Sequence, residues 1–228
     1  DINGDGFSDV TVYARGAEGL GVVVFGQAAG FSATKNLSSL DGHDGFRVRG
    51  TTTYDSSRIV IDNGGDINGD GIEDMIVTES TFTSPFERVD HVYVLMGKAT
   101  GFDTDIDLTS LDGEDGFGLQ GASGSFDRIE RAGDINGDGF ADVIASSVTI
   151  DSNGQSSGSS TVVFGRASGF DPVVDLTSLD GQNGFLFRAT TGGQSAYAVH
   201  AAGDVNGDGL ADVIVGDPQA EPHGDGSG

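Results

Sequence analysis

A nine-residue pattern, D-x-N-x-D-G-x-x-D, occurs four times in this chain of 228 residues: "DINGDGFSD" from Asp1, "DINGDGIED" from Asp66, "DINGDGFAD" from Asp134 and "DVNGDGLAD" from Asp204. The copies are 65, 68 and 70 residues apart. Self-similarity at so regular a period governs the fold, because each copy belongs to one supersecondary unit that buries its apolar face on a neighbour. Other landmarks keep step. Phe25-Gly26, Met96-Gly97 and Phe164-Gly165 close short β-rich runs ("GVVVFG", "VYVLMG" and "STVVFG"). "SLDGHDGF", "SLDGEDGF" and "SLDGQNGF" come next in their units, with their aspartates at Asp41, Asp112 and Asp180.

Each unit reads as four short strands, designated A to D. Strand A precedes the aspartate loop ("RIVI", "RIERA", "YAVHA") and B succeeds it ("DVTVYA", "DMIVTE", "DVIASS", "DVIVG"). Strand C ends at the Phe-Gly pair, and D comes after the second Asp-Gly turn ("GFRVRG", "GFGLQG", "GFLFRA"). These segments are rich in β-branched and aromatic residues and are bounded by Gly, Asp, Asn and Ser. No window carries a helical apolar period.

Units of four antiparallel strands at this period suit propeller blades. A stacked solenoid is the alternative, but its units are usually shorter. The predicted fold is all-β, with β-propeller blades of four antiparallel strands and about three and a third repeats across residues 1–228, taken as one repeat domain. The first copy lacks strand A and the last lacks C and D, which gives 13 strands. Closed propellers have ~4–8 blades, so the ring does not close alone. The chain reads as a segment of a larger propeller, or as one that self-associates through open sheet edges. The first loop also lacks the A strand that supports the others.

Composition narrows the partners. The formal charge of −25, from 36 acidic and 11 basic residues, repels nucleic-acid phosphates and anionic membrane surfaces and favours cations. The 39 glycines replace larger apolar side chains, as in a turn-rich globular protein. With no cysteine, disulfides, thiol chemistry and cysteine-ligated zinc have no residues to work with. No apolar run approaches the ~18 residues of a membrane span, and no signal peptide is visible. The chain reads as a mature segment or a piece of something longer.

In the aspartate loop, side chains at positions 1, 3 and 5 can converge on one point while glycine at 6 permits the tight turn. A backbone carbonyl at 7 and a carboxylate at 9 complete an all-oxygen set, which suits a hard cation of flexible coordination, Ca²⁺ ahead of Mg²⁺. An EF-hand would need Glu at position 12. Val12, Val77, Ala145 and Val215 stand there instead, on strands. The metal-free alternative is an Asx-turn hairpin, since Asp, Asn and Gly favour turns in any case. Twelve carboxylates crowded into four short loops would then repel one another.

The combination of Phe-Gly, D-x-N-x-D-G-x-x-D and a strand running into "VGDP" (Val215 to Pro218) resembles the FG-GAP repeat of integrin α-subunit β-propellers. "SLDGxxGF" resembles the bacterial version found in large exported calcium-binding and adhesin-like proteins. The resemblance covers nearly the whole chain. It implies a propeller with calcium loops on one face and a ligand-binding role. The ligand set it implies is Asp1, Asn3, Asp5, the Phe7 carbonyl and Asp9 in the first loop. In the second it is Asp66, Asn68, Asp70, Ile72 and Asp74, in the third Asp134, Asn136, Asp138, Phe140 and Asp142, and in the fourth Asp204, Asn206, Asp208, Leu210 and Asp212. Two departures stand out. Met96 replaces Phe in one Phe-Gly pair, and a Gly-x-Pro element occurs only in the fourth unit.

Nothing in the sequence assembles an active site. His43, His91, His200 and His223 occupy unrelated positions in their units, no G-x-S-x-G elbow occurs, and "ARG" at residues 14–16 is followed by Ala17 rather than Asp. Spacing within the units is more informative. From Phe-Gly to the Leu-Asp-Gly aspartate is 16 residues every time, whereas Asp9 to Phe25 is 16 and both Asp74 to Met96 and Asp142 to Phe164 are 22. In an antiparallel blade the constant A-B and C-D connections share one end, and the variable B-C and D-A connections share the other. Variable loops shape binding surfaces.

The expected function is therefore a calcium-stabilised, non-enzymatic adhesion or interaction module of a secreted or cell-surface protein. It would meet an extracellular protein or glycan through the end opposite the calcium loops. A lectin-like propeller and a non-catalytic module of a secreted enzyme are the alternatives, with Phe82 and Phe86 as candidate stacking residues.

Overall fold

The computed structural model describes residues 1–14, 19–51, 57–84, 87–121, 126, 128–150, 156–188 and 198–216. Strands form at the β-rich runs of each unit. The first unit contains β1 (Val10–Ala14), β2 (Leu20–Val24) and β3 (Gly45–Arg49). The second contains β4 (Arg58–Gly65), β5 (Asp74–Ser84), β6 (Glu87–Leu95), β7 (Asp105–Ile106) and β8 (Gly116–Gln120). The third contains β9 (Arg128–Gly133), β10 (Asp142–Ile150), β11 (Ser156–Val163), β12 (Val173–Asp175) and β13 (Gly184–Arg188), and the fourth β14 (Ala198–Gly203) and β15 (Asp212–Gly216).

Pairing obeys the order A-B-C-D. The third unit runs β13-β11-β10-β9, the second β8-β6-β5-β4, the first β3-β2-β1, and the fourth is the pair β14-β15. Val143 faces Val163 across the β10–β11 hairpin, and Val10 faces Val24 across β1–β2. Consecutive strands joined antiparallel in this order are propeller-blade sheets, so the all-β reading holds.

Two short strands lie outside the 13 expected. β7 and β12 come from the C-D connections of the second and third units, and each adds to the D strand of the unit before, β7 to β3 in parallel and β12 to β8. The β3–β7 pair is locked by charge, because Asp105 accepts from Arg47 Nη2 at 2.8 Å and from Arg49 Nε at 3.0 Å. Hydrogen bonding to Arg47, offset in part by desolvation, and then to Arg49 pulls its carboxyl down to about 2. The same connections hold single 3-10 turns, Leu37–Ser39 and Leu108–Ser110, whose first N–H groups are capped by Asn36 and Asp107.

The chain gathers into two compact units, one of residues 1–63, 70–118 and 168–174, the other of 64–69, 119–167 and 175–228. In the first, Val23, Phe46 and Val48 of one sheet meet Ile59, Ile61 and Val77 of the next in a shared core. Contact is close enough that a Cβ on Gly21 would fall 2.7 Å from the Ile61 side chain. The "DGF" phenylalanine of each turn stacks on the aromatic ring of the next repeat, Phe46 on Phe102 at 4.5 Å and Phe117 on Phe170 at 4.3 Å between centroids. The second unit has its own core of Ala132, Ile144, Val162 and Val199.

These stacked rings join successive repeats, and Phe117 has no exposed surface. Phe117→Ala should cost about 3–5 kcal/mol, read as a lowered urea midpoint for the transition of the compact unit that contains it.

Candidate metal loops

The four aspartate loops fold alike, and the reason lies in their side chains. Position 1 caps the backbone on its C-terminal side. In the first loop Asp1 accepts from the N–H groups of Asp5 at 3.1 Å and Gly6 at 2.8 Å. In the third, Asp134 takes those of Gly137, Asp138 and Gly139 at 2.7, 3.2 and 2.9 Å. Asp204 repeats this with Gly207, Asp208 and Gly209, and Asp66 holds Gly69 N–H at 2.7 Å. Position 5 caps position 7: Asp5 to Phe7, Asp70 to Ile72, Asp138 to Phe140 and Asp208 to Leu210, all within 2.8–3.0 Å. The glycine at position 6 has φ of 87° to 92° in all four loops, a conformation that a Cβ would strain.

Asparagine at position 3 ties the ring together. Its Oδ1 accepts from the position-5 N–H and its Nδ2 donates to the position-5 carboxylate, as in Asn136 to Asp138 at 2.8 Å and Asn206 to Asp208 at 3.0 Å. The first loop has the same bonds, from Asn3 to Asp5. It therefore forms without a strand A beside β1.

The position-9 aspartates stand apart from this ring. Asp142 Oδ2 accepts from Ile135 N–H at 2.8 Å, and its Oδ1 accepts from Gly165 N–H at 2.9 Å. Asp9 does the same with Ile2 and Gly26, both at 2.8 Å, and Asp74 with Gly97 at 2.8 Å. Asp212 holds Val205 N–H at 2.8 Å. The glycine of the Phe-Gly pair thus lies directly against the loop. A Cβ on Gly165 would fall 2.4 Å from the Ala141 carbonyl oxygen, and one on Gly97 2.4 Å from that of Glu73. Composition could not show this partnership. Spacing could not show it either, since the span from the position-9 aspartate to the Phe-Gly pair varies between units, 16 residues in the first and 22 in the second and third.

Electrostatics bear on what the loops hold. Asp142 is fully buried. Desolvation pushes its carboxyl up to about 6 against the pull of the two N–H bonds, and the negative charges of Asp138 and Asp134 add to the rise. Among the described residues no three His, Cys, Asp or Glu side chains gather into a ready-made cage. Each loop instead groups two carboxylates, an amide and a turn of backbone, and in the first three the third carboxylate faces the Phe-Gly turn or its Met-Gly equivalent. A carboxylate oxygen that accepts one N–H keeps a second lone-pair site. The donor chemistry of positions 1, 3 and 5 therefore fits a hard cation, with the amide turned to present its oxygen.

The loops also reach into the next repeat. The position-1 carbonyl accepts from the position-8 N–H of the succeeding loop: Asp1 from Glu73 at 3.3 Å, Asp66 from Ala141 at 2.8 Å and Asp134 from Ala211 at 2.8 Å. The position-2 carbonyl accepts from the residue after the next Phe-Gly pair, or its Met-Gly equivalent: Ile2 from Lys98 and Ile67 from Arg166, both at 2.9 Å.

At the opposite end, the longer B-C connections of the second and third units are mostly extended hairpin strands, β5 to Ser84 with β6 from Glu87 and β10 to Ile150 with β11 from Ser156, whereas the D-A stretch "TTGGQSAY" lies wholly outside the described residues, as do the side chains of Phe82 and Phe86 and all of His223. His200 pairs with Glu130 at 3.1 Å and belongs to no histidine cluster among the described residues. No described helix is long and apolar enough to cross a membrane.

Residues 195–228, which include the fourth loop, match the family model of the FG-GAP repeat.

The contact between the Phe-Gly glycine and the loop gives a direct test. Gly165→Ala has no space for its methyl and should destabilise the fold by about 1–3 kcal/mol, measured by thermal or urea unfolding. Gly139→Ala has nothing within 4 Å and should cost only the strain of its positive φ, about 1 kcal/mol.

Proposed function

We propose that this chain, which carries an FG-GAP repeat, is a calcium-stabilised, non-catalytic interaction module of an extracellular or cell-surface protein. The observation that carries the reading is the fourfold loop in which two carboxylates and an amide are held by backbone N–H groups around one turn. That donor set contains only oxygen ligands suited to Ca²⁺. Asp1, Asn3 and Asp5 and their equivalents would hold the ion. The carbonyls of Phe7, Ile72, Phe140 and Leu210 complete the set, and Asp9, Asp74, Asp142 and Asp212 close it at position 9. A bound cation supplies positive charge where the loops concentrate negative charge, and four would offset eight of the chain's excess negative charges.

Extracellular calcium modules bind with Kd ~10⁻⁴ to 10⁻³ M, so millimolar calcium adds roughly 0.5–1.5 kcal/mol per site. The pH dependence separates the bound from the free loop. The folded pKa of Asp142 lies above its ordinary value. In chelator its ionisation therefore opposes folding, and stability falls as pH rises from about 4 to about 6. Acidifying the chelated protein from neutral to about pH 5 should raise stability by about 1 kcal/mol. With calcium the sign should invert, since protons displace the ion. Melting curves in EGTA and in calcium check both. Identical curves in the two would remove the metal from this reading.

The partner would be a protein or glycan met at the end opposite the loops, where connection length varies between units. Replacing Glu79 to Asp90 with the short "ARGAEGL" connection should abolish binding to a ligand found on a glycan or matrix-protein array, measured well below a melting temperature that the loss of the buried Glu79, Thr81 and Asp90 also lowers. Binding that survives the graft but is lost on surface changes beside the loops would move the binding face to the metal end.

A further inference from the structure

We infer that the Asn-Gly and Asp-Gly pairs of the aspartate loops are latent sites of covalent self-modification, and that the position-1 aspartate guards them. Positions 3 and 4 of every loop read Asn-Gly, and positions 5 and 6 read Asp-Gly. In such pairs no Cβ on the glycine hinders its nitrogen from attacking the side-chain carbonyl of the residue before it. At asparagine a bond forms from the glycine nitrogen to Cγ, the Cγ–Nδ2 bond breaks, and the glycine's proton leaves with that nitrogen as ammonia. At aspartate the same five-membered imide closes with loss of water. Water then adds to either imide carbonyl and opens the ring to aspartate or to isoaspartate, whose main chain runs through the side-chain carbonyl. The sequence of steps needs no oxidant or reductant and no reagent besides water.

Asp134 holds both nitrogens from which the reaction starts. Its Oδ1 accepts from Gly137 N–H at 2.7 Å and its Oδ2 from Gly139 N–H at 2.9 Å. Asp204 treats Gly207 and Gly209 alike, at 2.6 and 2.9 Å, and Asp66 holds Gly69 at 2.7 Å. Attack requires the nitrogen to give up its proton and turn onto Cγ, and a carboxylate alongside disfavours the negative charge that this creates. The carbon under attack is held as well. Asn136 is fixed at both amide atoms by Asp138, at 3.0 and 2.8 Å, and Asn206 by Asp208, at 2.8 and 3.0 Å. Burial gives no protection, because Asn136, Gly137, Asn206 and Gly207 are all exposed to water. The ring of hydrogen bonds keeps these pairs intact, and the reaction waits on local opening of the loop.

Conversion is one-way. Aspartate at position 3 puts a carboxylate where Nδ2 of Asn136 donates to Asp138, so that two like charges face each other. Isoaspartate lengthens the main chain between the position-1 cap and the glycines it holds. Either product undoes the ring that delayed its formation, and a loop that stays open long enough to react does not close as before. The loops therefore record their own opening in covalent form. The protection comes from hydrogen bonds within the loop and holds with or without calcium.

Peptide mapping of the 228-residue chain during incubation at mildly alkaline pH, in EGTA and in EGTA with unfolding urea, tests this. Chelator keeps a bound cation from adding protection of its own. Without urea, Asn136 and Asn206 should convert at least about tenfold more slowly than with it, the fold-change to which one hydrogen bond to a charged acceptor corresponds. Asp134→Ala should bring Asn136 towards the rate in urea and leave Asn206, guarded by Asp204, slow. Equal rates for the native chain with and without urea would overturn the inference, because the hydrogen bonds alone would then protect nothing. So would an Asp134→Ala chain in which Asn136 stays slow. Acceleration of Asn206 as large as that of Asn136 in the variant would overturn it too, since the protection would then belong to the fold at large and not to the position-1 aspartate.

Discussion

The interaction on which the rest of the repeat depends is the position-9 carboxylate bridging two backbone N–H groups. In the third repeat Asp142 joins Ile135, at the start of the loop, to Gly165, at the end of strand C. It thereby fastens the A-B connection to the C-D connection at one end of the sheet. A buried carboxylate is costly unless its charge is met by donors, and two N–H groups at 2.8 and 2.9 Å provide them. The bridge also dictates the neighbouring sequence. Gly165 donates from a position where the Ala141 carbonyl leaves no room for a side chain, so a glycine is needed there for close approach rather than for an unusual φ. In the second unit Met96 replaces Phe beside Gly97, and the Gly97 N–H still donates to Asp74. The glycine, more than the aromatic ring, is what the loop requires.

Much of this fold was legible in the sequence, and the parts that were not share a cause. The period, the four strands of each unit and their antiparallel order derive from runs such as "DVIASS" and "STVVFG" between Asp-Gly punctuation, because a sheet buried on a neighbour needs that alternation locally. β7 and β12 were missed because "DI" and "VVD" are too short to carry a pattern. They become strands only through edges offered by β3 and β8 in another unit. The ring of positions 1, 3 and 5 was visible because those residues are neighbours in the chain. The bond from Asp142 to Gly165 was not, since it spans 23 residues of sequence. The first loop shows where local chemistry outweighs context. It lacks strand A, and its caps from Asp1, Asn3 and Asp5 form all the same.

Burial along the series shows that each repeat is completed by the next. At position 2, Ile2 and Ile67 are sealed, Ile135 is half-buried against a fourth unit of only two described strands, and Val205 is open. The residue type barely changes over these four positions, so the difference comes from the neighbouring repeat against which each loop packs. Stability in such an array divides into what a unit supplies alone and what its neighbour adds. The Asx-type caps belong to the first share. The carbonyl clamp and the stacked phenylalanines belong to the second.

The two shares meet in one residue. Asp66 uses its side chain to cap Gly69 inside its own loop and its main-chain carbonyl to accept from Ala141 in the next. Asp134 does both as well, toward Gly137 and Ala211. A cation held by the position-1 carboxylate, as proposed, would therefore act on a residue whose backbone is already part of the contact between repeats. Fixing that side chain lowers the freedom the backbone must lose when the next repeat docks. Under the proposed calcium binding, loop occupancy and repeat-to-repeat contact would be linked through a single peptide group, without any direct contact between one loop's cation and the next.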